Sequence, residues 1–252
     1  MKTAIITVAG ISSRFNRGIP EGEKKLKAIY TDGDEKDTLL YHLLLKCSYA
    51  DRIIVVGGYK YDSLASYCDG LDAALKGKMT LVYNPHFEDL ASGYSLYLGL
   101  EEALKDDVSE VLFVEGDLDI DGESFEKVVA APGSVLTYTS EPIYANKAVV
   151  LYKNGQEQYR YAFNSSHGLL SIDEPFSCIL NSGQTWKFDR MDLLRAANRH
   201  FAEGKMDGTN LEIIQAYLDG GSEVSLIGLR RWTNCNTRED HKMITTYWEA
   251  ER

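Results

Sequence analysis

Arg14, Lys24, Lys25 and Lys27 form the densest basic cluster in a 252-residue chain whose formal net charge is -11. The segment leading into them, Ile5-Ile6-Thr7-Val8-Ala9-Gly10-Ile11-Ser12-Ser13, is an apolar run of strand length that breaks into a loop of small residues. A strand ending in such a loop presents backbone N–H groups that can cradle a triphosphate, and Arg14 with a following lysine can neutralise its charge. No Gly-Lys-Ser/Thr closes the loop, which excludes a Walker phosphate loop. Gly10 also lacks the second and third glycines of a dinucleotide fingerprint. Ser92 and Gly93 open a second segment of interest, a helix whose free N–H groups and dipole favour an anionic or acceptor-rich ligand.

These residues need a scaffold, and the chain supplies one by alternating strands and helices. Apolar runs at 4–8, 52–57, 79–83 and 110–114 read as buried strands. Residues 39–48, 59–75 and 91–104 read as the helices between them, with Asp37-Thr38 capping the first. This pattern predicts an α/β fold: one Rossmann-like, three-layer α/β/α domain over 1–252, with a mostly parallel sheet covered on both faces. Ligands bind such sheets at the carboxyl ends of the strands, where Gly10, Asn84 and Asp117 fall. From 134 to about 188 the pattern becomes short and alternating, with strands expected at 135–139, 148–152, 158–163, 168–172 and 177–180. Turn residues such as Asn154-Gly155 separate them, so a small antiparallel β insertion is expected there. Helices follow at 190–202 and 211–218, then a strand at 223–227 and a closing helix at 237–251.

Composition narrows the function. The acidic balance argues against a nucleic-acid partner. Cys47, Cys68, Cys178 and Cys235 are scattered without metal-ligand spacing, as expected of buried free thiols in a reducing compartment. The N-terminus runs straight into a strand and no apolar run has membrane-spanning length, so a cytoplasmic protein without membrane association is expected. The sequence leaves the oligomeric state open.

The loop at 9–14, Gly116-Asp117 and Asn234-Cys235-Asn236-Thr237 together resemble the nucleotidyltransferases, which join a nucleoside monophosphate to a phosphorylated acceptor. Gly10-Ile11-Ser12-Ser13-Arg14 is similar to the family loop Ala-Ala-Gly-x-Gly-x-Arg, with Ser12 in place of its second glycine, as in molybdopterin-type members. The resemblance implies nucleotide contacts at Ala9, Gly10, Ser12 and Ser13 and catalytic roles for Arg14, Lys24 and Asp117. The lysine matches the family's Lys-Pro-Leu-Leu-Pro-Ile segment in a register ambiguous by one, which leaves Lys25 as the alternative. Asp117 stands where the family binds Mg²⁺, and Asp119 or Asp121 could help through water. Asn236 stands where most members carry a second metal-binding aspartate. Thr237 and Asp240 also suffice to cap the last helix.

The stretch from Asn84 through Tyr94-Ser95-Leu96-Tyr97-Leu98 is most similar to the bacterial phosphocholine cytidylyltransferases. This resemblance adds Asn84, Ser92, Gly93 and Ser95 to the nucleotide site and points to CTP. It also implies acceptor contacts at Glu141, Asn146, Ser182 and Gly183. Ala148 replaces an aromatic residue of those enzymes, and Trp186, Tyr144 and Tyr161 are the residues that could compensate for it. The implied reaction is Mg²⁺-dependent transfer from CTP to a phosphocholine-like or phosphonate acceptor. Ser12 and Asn236 pull toward molybdopterin-type chemistry. Sugar 1-phosphates with other nucleotides, or an inactive nucleotide-binding module, are the remaining alternatives. His86 has no spacing partner and reads as an ordinary loop residue.

Overall fold

The computed structural model describes residues 1–34, 36–144, 149–163 and 170–251. Four parallel strands form its centre: β1 (Lys2–Thr7), β2 (Arg52–Gly57), β3 (Met79–Tyr83) and β4 (Glu110–Glu115). After β4 come a short β5 (Leu118–Ile120), β6 (Ser134–Thr139), β7 (Val149–Asn154), β8 (Tyr159–Phe163), the 13-residue β9 (Phe176–Phe188), β10 (Val224–Leu229) and β11 (Trp232–Asn234). The main sheet runs β10-β6-β9-β4-β1-β2-β3. β9 lies antiparallel to β4 and β6, and its first half carries the β7–β8 hairpin.

Alternation along the strands explains the three layers. Ile6, Val55 and Leu112 face one side of the sheet, under α1 (Leu39–Lys46), α2 (Tyr61–Asp69), the one-turn α3 (Ala73–Lys76) and α5 (Gly122–Ala130). Ile5, Val56 and Phe113 face the other side, under α4 (Ser92–Ala103), α6 (Met191–Gly204) and α7 (Asn210–Asp219). With period 2, neighbouring residues on one strand supply opposite cores. The closing helix α8 (Arg238–Glu251) forms a third, smaller cluster in which Ile244 and Trp248 meet Phe15 and Tyr30. The expected α/β class with a mostly parallel central sheet is the fold observed.

Several boundaries move for local reasons. The helix expected at 59–75 is two helices, because Gly70 ends α2 and Asp72 caps α3 by accepting from Ala74 and Leu75 N–H. Thr38 caps α1 as expected, accepting from Tyr41 N–H. The strand expected at 177–180 continues to Phe188. Residues 170–172 form no strand, and the rest of the run expected at 168–172 lies outside the described residues. The β5–β11 pair was not foreseen, since three-residue strands carry no periodic signal. Cys47, Cys68 and Cys235 are buried free thiols, each pushed up to about 12 chiefly by burial, whereas Cys178 is half-buried. Among the described residues, no helix is long and apolar enough to cross a membrane.

Candidate functional site

Strand order reverses between β1 and β4, and a cleft of about 380 Å³ opens at their carboxyl ends. One wall is the loop after β1. Ala9, Gly10 and Ser12 line it, and Ser12 adopts a left-handed φ of 58°. A glycine would accept that conformation without strain, which is the physical sense of the glycine usual there. Serine adds a function that glycine cannot supply. Its Oγ accepts from Lys27 N–H and donates to Gly10 O, both at 3.4 Å, and so ties the loop to the lysine segment. Asn16 makes a second tie, donating from Nδ2 to Lys25 O (2.8 Å) and accepting from Lys25 N–H at Oδ1 (3.0 Å).

That clamp decides which lysine enters the cleft. Leu26, Ala28 and Tyr30 are buried, and between them Lys27 lines the cleft with its Nζ 2.9 Å from Asp117 Oδ2. Lys24 instead pairs with Glu21 at 2.5 Å, and Lys25 is exposed. Arg14 is exposed and has no ion-pair partner among the described residues. Ser13 lines an adjoining surface hollow with Lys24. The structure therefore brings Ala9, Gly10, Ser12 and Asp117 together with Lys27, in place of the Lys24 or Lys25 that the family resemblance implies.

Asp117 follows Gly116, whose added Cβ would stand 2.3 Å from Val8 Cγ1 and 2.7 Å from Thr7 O. Only glycine permits so close an approach of β4 to β1. Asn236 reaches the same place through tertiary pairing. β11 runs antiparallel to β5, and Cys235 N–H donates to Asp117 O at 2.8 Å. Asp240 then accepts from Asn236 and Thr237 N–H, while Thr237 Oγ1 accepts from Asp240 N–H, a reciprocal cap on α8. Asp117 Oδ1 and Asn236 Oδ1 are both buried without hydrogen-bond partners. The two orphaned oxygens, one carboxylate and one amide, are of the hard oxygen type that Mg²⁺ takes. Asp119 and Asp121 do not join them. Asp119 is buried against Arg231, Lys46 and Trp248 Nε1, and Asp121 caps α5 and accepts from Arg231 N–H. Among the described residues no cluster of three His, Cys, Asp or Glu side chains could hold a metal.

The opposite wall begins α4. Ser92, Ser95 and the buried Asn84 line the cleft, with Asn84 donating from Nδ2 to Ser95 Oγ at 2.9 Å and accepting from His86 N–H. Gly93 lies behind that wall: a Cβ there would strike Gly208 O and the Phe201 ring. His86 bonds Asp89 at 3.0 Å at the surface.

The residues expected for the acceptor are distributed differently. Glu141 is exposed, Asn146 lies outside the described residues, and Ser182 is buried away from the cleft. Gly183 is packed against Thr137 and Leu229, and its carbonyl accepts from Trp232 Nε1. Two extra residues of β9 bulge between its pairings with Leu136 and Tyr138, and Gln184, at φ 49°, is the one that lines the cleft. Trp186 and Tyr161 bond each other (2.7 Å) with Trp186 stacked on Phe113, and Tyr144 is largely exposed. At the floor stands Glu115, which accepts from Asn210 Nδ2 (2.7 Å) and Gln184 Nε2 (3.0 Å). Burial, and then the Asp117 carboxylate, push Glu115 up to about 8. A lone acid ending the apolar run Val-Leu-Phe-Val was the sequence signal for it. Asn210 and Gln184 gave none.

This fold is shared with solved nucleotidyltransferases. The chain superposes on the inositol-1-phosphate CTP transferase of T. maritima with a TM-score of 0.68 and 16% identity over 97% of this chain and 95% of the other. A UDP-glucose pyrophosphorylase complexed with UDP-glucose gives 0.68 and 12% over the full length of both. The CTP:phosphocholine cytidylyltransferase of Streptococcus pneumoniae gives 0.62 and 14% over 98% and 99%. By sequence, the chain belongs to the family described as "Domain of unknown function (DUF6564)", which matches residues 23–248. No curated protein matches it significantly.

Proposed function

We propose that the protein is a nucleotidyltransferase that couples the nucleoside monophosphate of CTP to a small phosphorylated acceptor and releases pyrophosphate. The observation that carries this reading is the orphaned buried oxygen of Asp117, which lines one cleft with the Ala9–Gly10–Ser12 loop and Lys27; a second orphaned oxygen belongs to Asn236, next in the chain to Cys235, whose N–H donates to Asp117 O. Asp117 and Asn236 would hold Mg²⁺, which when bound neutralises phosphate oxygens. Lys27 is the lysine placed to meet a phosphate held by the loop, and Arg14 stands at the exposed end of that loop for the outer phosphates. The acceptor's phosphate oxygen attacks the α-phosphorus while the bond to the bridging β-oxygen breaks and pyrophosphate leaves. The second pKa of a phosphate monoester is about 6, so the attacking group is already a dianion at neutral pH. No protein base is required. Catalysis rests on positioning and on charge neutralisation.

CTP rests on the resemblance of the Asn84 to Leu98 stretch, with Asn84 and Ser95 beside the loop. The test is pyrophosphate release from each of four nucleoside triphosphates, with and without Mg²⁺, against a panel of phosphate and phosphonate acceptors. Mg²⁺-dependent release with CTP preferred is expected. Absence of both triphosphate binding and release would overturn the reading.

A further inference from the structure

We infer that Lys27 and Asp117 form an exchangeable latch: in the free protein the lysine ammonium occupies the aspartate that a divalent cation would take, and cation and triphosphate open the latch only together. This rests on the nucleotidyltransferase reading and adds to it how the site is held before its ligands arrive. Lys27 Nζ lies 2.9 Å from Asp117 Oδ2, and among the described residues neither side chain has another hydrogen-bond partner. Both line the cleft, and their side chains are 15% and 26% exposed.

Two acids two positions apart separate a structural ion pair from an exchangeable one. Asp119 is buried, and both its oxygens are in use: Arg231 holds one, Lys46 and Trp248 Nε1 the other. None of those three partners lines the cleft. Asp117 has one oxygen on Lys27 and the other buried with no partner, a state that costs free energy until a donor or a cation meets it. The backbone of the lysine is pinned. Asn16 clamps Lys25, Ser12 Oγ accepts from Lys27 N–H, and Leu26 and Ala28 are buried on either side. The four-carbon stem is therefore the part that can carry the ammonium from one anion to another.

Charge makes this exchange cooperative. A dication arriving alone must displace the ammonium from Asp117. Among the described residues the only other acid lining the cleft is Glu115, which already accepts from Asn210 and Gln184, so the displaced lysine finds no unengaged anion. A triphosphate arriving alone draws Lys27 away and leaves the Asp117 carboxylate bare beside further negative charge. When both arrive, Asp117 passes to the cation and Lys27 to a phosphate oxygen, and neither is left unpaired. Deleting one half of the latch should accordingly help the ligand whose charge has the same sign as the group removed. Simple loss of a binding residue gives the opposite sign.

The test titrates the full chain with Mn²⁺, followed by electron paramagnetic resonance, and separately with CTP in EDTA, followed by calorimetry. Neither titration needs an acceptor or turnover. Each variant is first matched to the parent by circular dichroism, and either variant decides the question alone. Lys27→Met, which keeps the apolar stem, should bind Mn²⁺ about 10-fold or more tightly than the parent when nucleotide is absent, the scale of a typical coupling between sites. Its melting temperature should also rise with Mn²⁺ by more than the parent's. Asp117→Asn should bind metal-free CTP several-fold more tightly than the parent, although it removes a proposed metal ligand. An unchanged or weakened Mn²⁺ affinity in Lys27→Met, or an unchanged or weakened metal-free CTP affinity in Asp117→Asn, overturns the latch and leaves the nucleotide site standing. Failure of the parent to bind CTP both with and without Mn²⁺ overturns the nucleotidyltransferase reading as well.

Discussion

One wall of the cleft comes from one continuous stretch, residues 9–27, while its floor is assembled from Glu115 on β4, Gln184 in β9 and Thr209–Asn210 at the head of α7. Both regions are polar, and both are held by side-chain hydrogen bonds. They differ in how far apart in the chain their partners lie. Ser12 and Asn16 bond residues 9 to 15 positions away, whereas the Glu115 bonds span 69 and 95 positions. A local loop can be recognised as a motif because its spacing is fixed by a few backbone turns. A floor drawn from three distant elements has no spacing to recognise, and its composition can change without disturbing the loop. A local loop is thus recognisable from sequence, while the makeup of the floor is decided only when the fold brings its elements together.

The largest expected effect tests the proposed metal end of the cleft, where Asp117 faces the loop's Lys27. Asp117→Ala removes a carboxylate that has a buried, partnerless oxygen, and loss of a charged ligand to the proposed Mg²⁺ should cost several kcal/mol of transition-state stabilisation. Turnover should fall by about 10³-fold or more with the circular dichroism spectrum unchanged. Near-normal turnover would show that this end of the cleft does not hold the metal.

Next in size is the choice of lysine. Lys27→Ala should lower kcat by roughly 10²-fold, the scale expected when one group neutralising developing phosphate charge is lost. Lys24→Ala and Lys25→Ala should stay within a few-fold of the parent, since Lys24 is taken up by Glu21 at the surface. The reverse order in steady-state kinetics would mean that the loop rearranges around its nucleotide. Arg14→Ala should fall between them and act mainly on triphosphate affinity.

A stability effect of intermediate size concerns the joint between the two regions. Gly116→Ala places a methyl group 2.7 Å from a backbone oxygen and 2.3 Å from Val8, contacts that cannot be relieved by one flexible side chain. Overpacking of this kind costs about 1–3 kcal/mol and sometimes more. Thermal denaturation should show a melting temperature lowered by several degrees, and an unchanged one would mean that β1 and β4 can separate here. Asn236→Asp should act more gently, tightening Mg²⁺ binding a few-fold by adding a charge beside Asp117. A weaker Mg²⁺ dependence would remove Asn236 from the site.

The smallest effect lies in the cluster under α8. His241 is buried edge-on to Tyr30 and Trp248, with Phe15 beside it, and burial lowers its pKa while Asp32 and Asp37 oppose that shift. The unfolded chain then takes up a proton that the folded chain resists, so stability should be unaffected well above pH 6.5 and fall progressively below it. His241→Phe should flatten that acid limb in urea titrations without altering stability at pH 8. An identical acid limb in the variant would assign it to other groups.

Much of the scaffold was legible because it is local. β2 and β3 were placed to the residue by apolar runs bounded by turns, and Thr38 by its position before a periodic segment. The break at Gly70–Asp72 was lost inside a run that still had helical periodicity. The placement of Lys27 over Lys24 was hidden for a different reason. Five basic residues within fourteen positions look alike in sequence, and burial of Leu26, Ala28 and Tyr30 is a tertiary fact. Gln184 was hidden because a bulge shifts the register of a strand, and a shift in register changes which side chains face the cleft.

By itself the sequence determined the alternating α/β order, the small-residue loop after β1, the glycine before Asp117 and the Thr237–Asp240 cap. Each depends on a backbone preference or a period that acts over a few residues. The tertiary structure decided which lysine meets Asp117, that Asn236 stands beside it, that Asp119 is spent on Arg231 and Trp248, and that Glu115, Gln184 and Asn210 share one floor. Those outcomes require strands and helices far apart in the chain to be packed together first. The physical reason is that a buried polar group finds its partner by position in the fold, and position is fixed only when the two hydrophobic faces of the sheet have been covered.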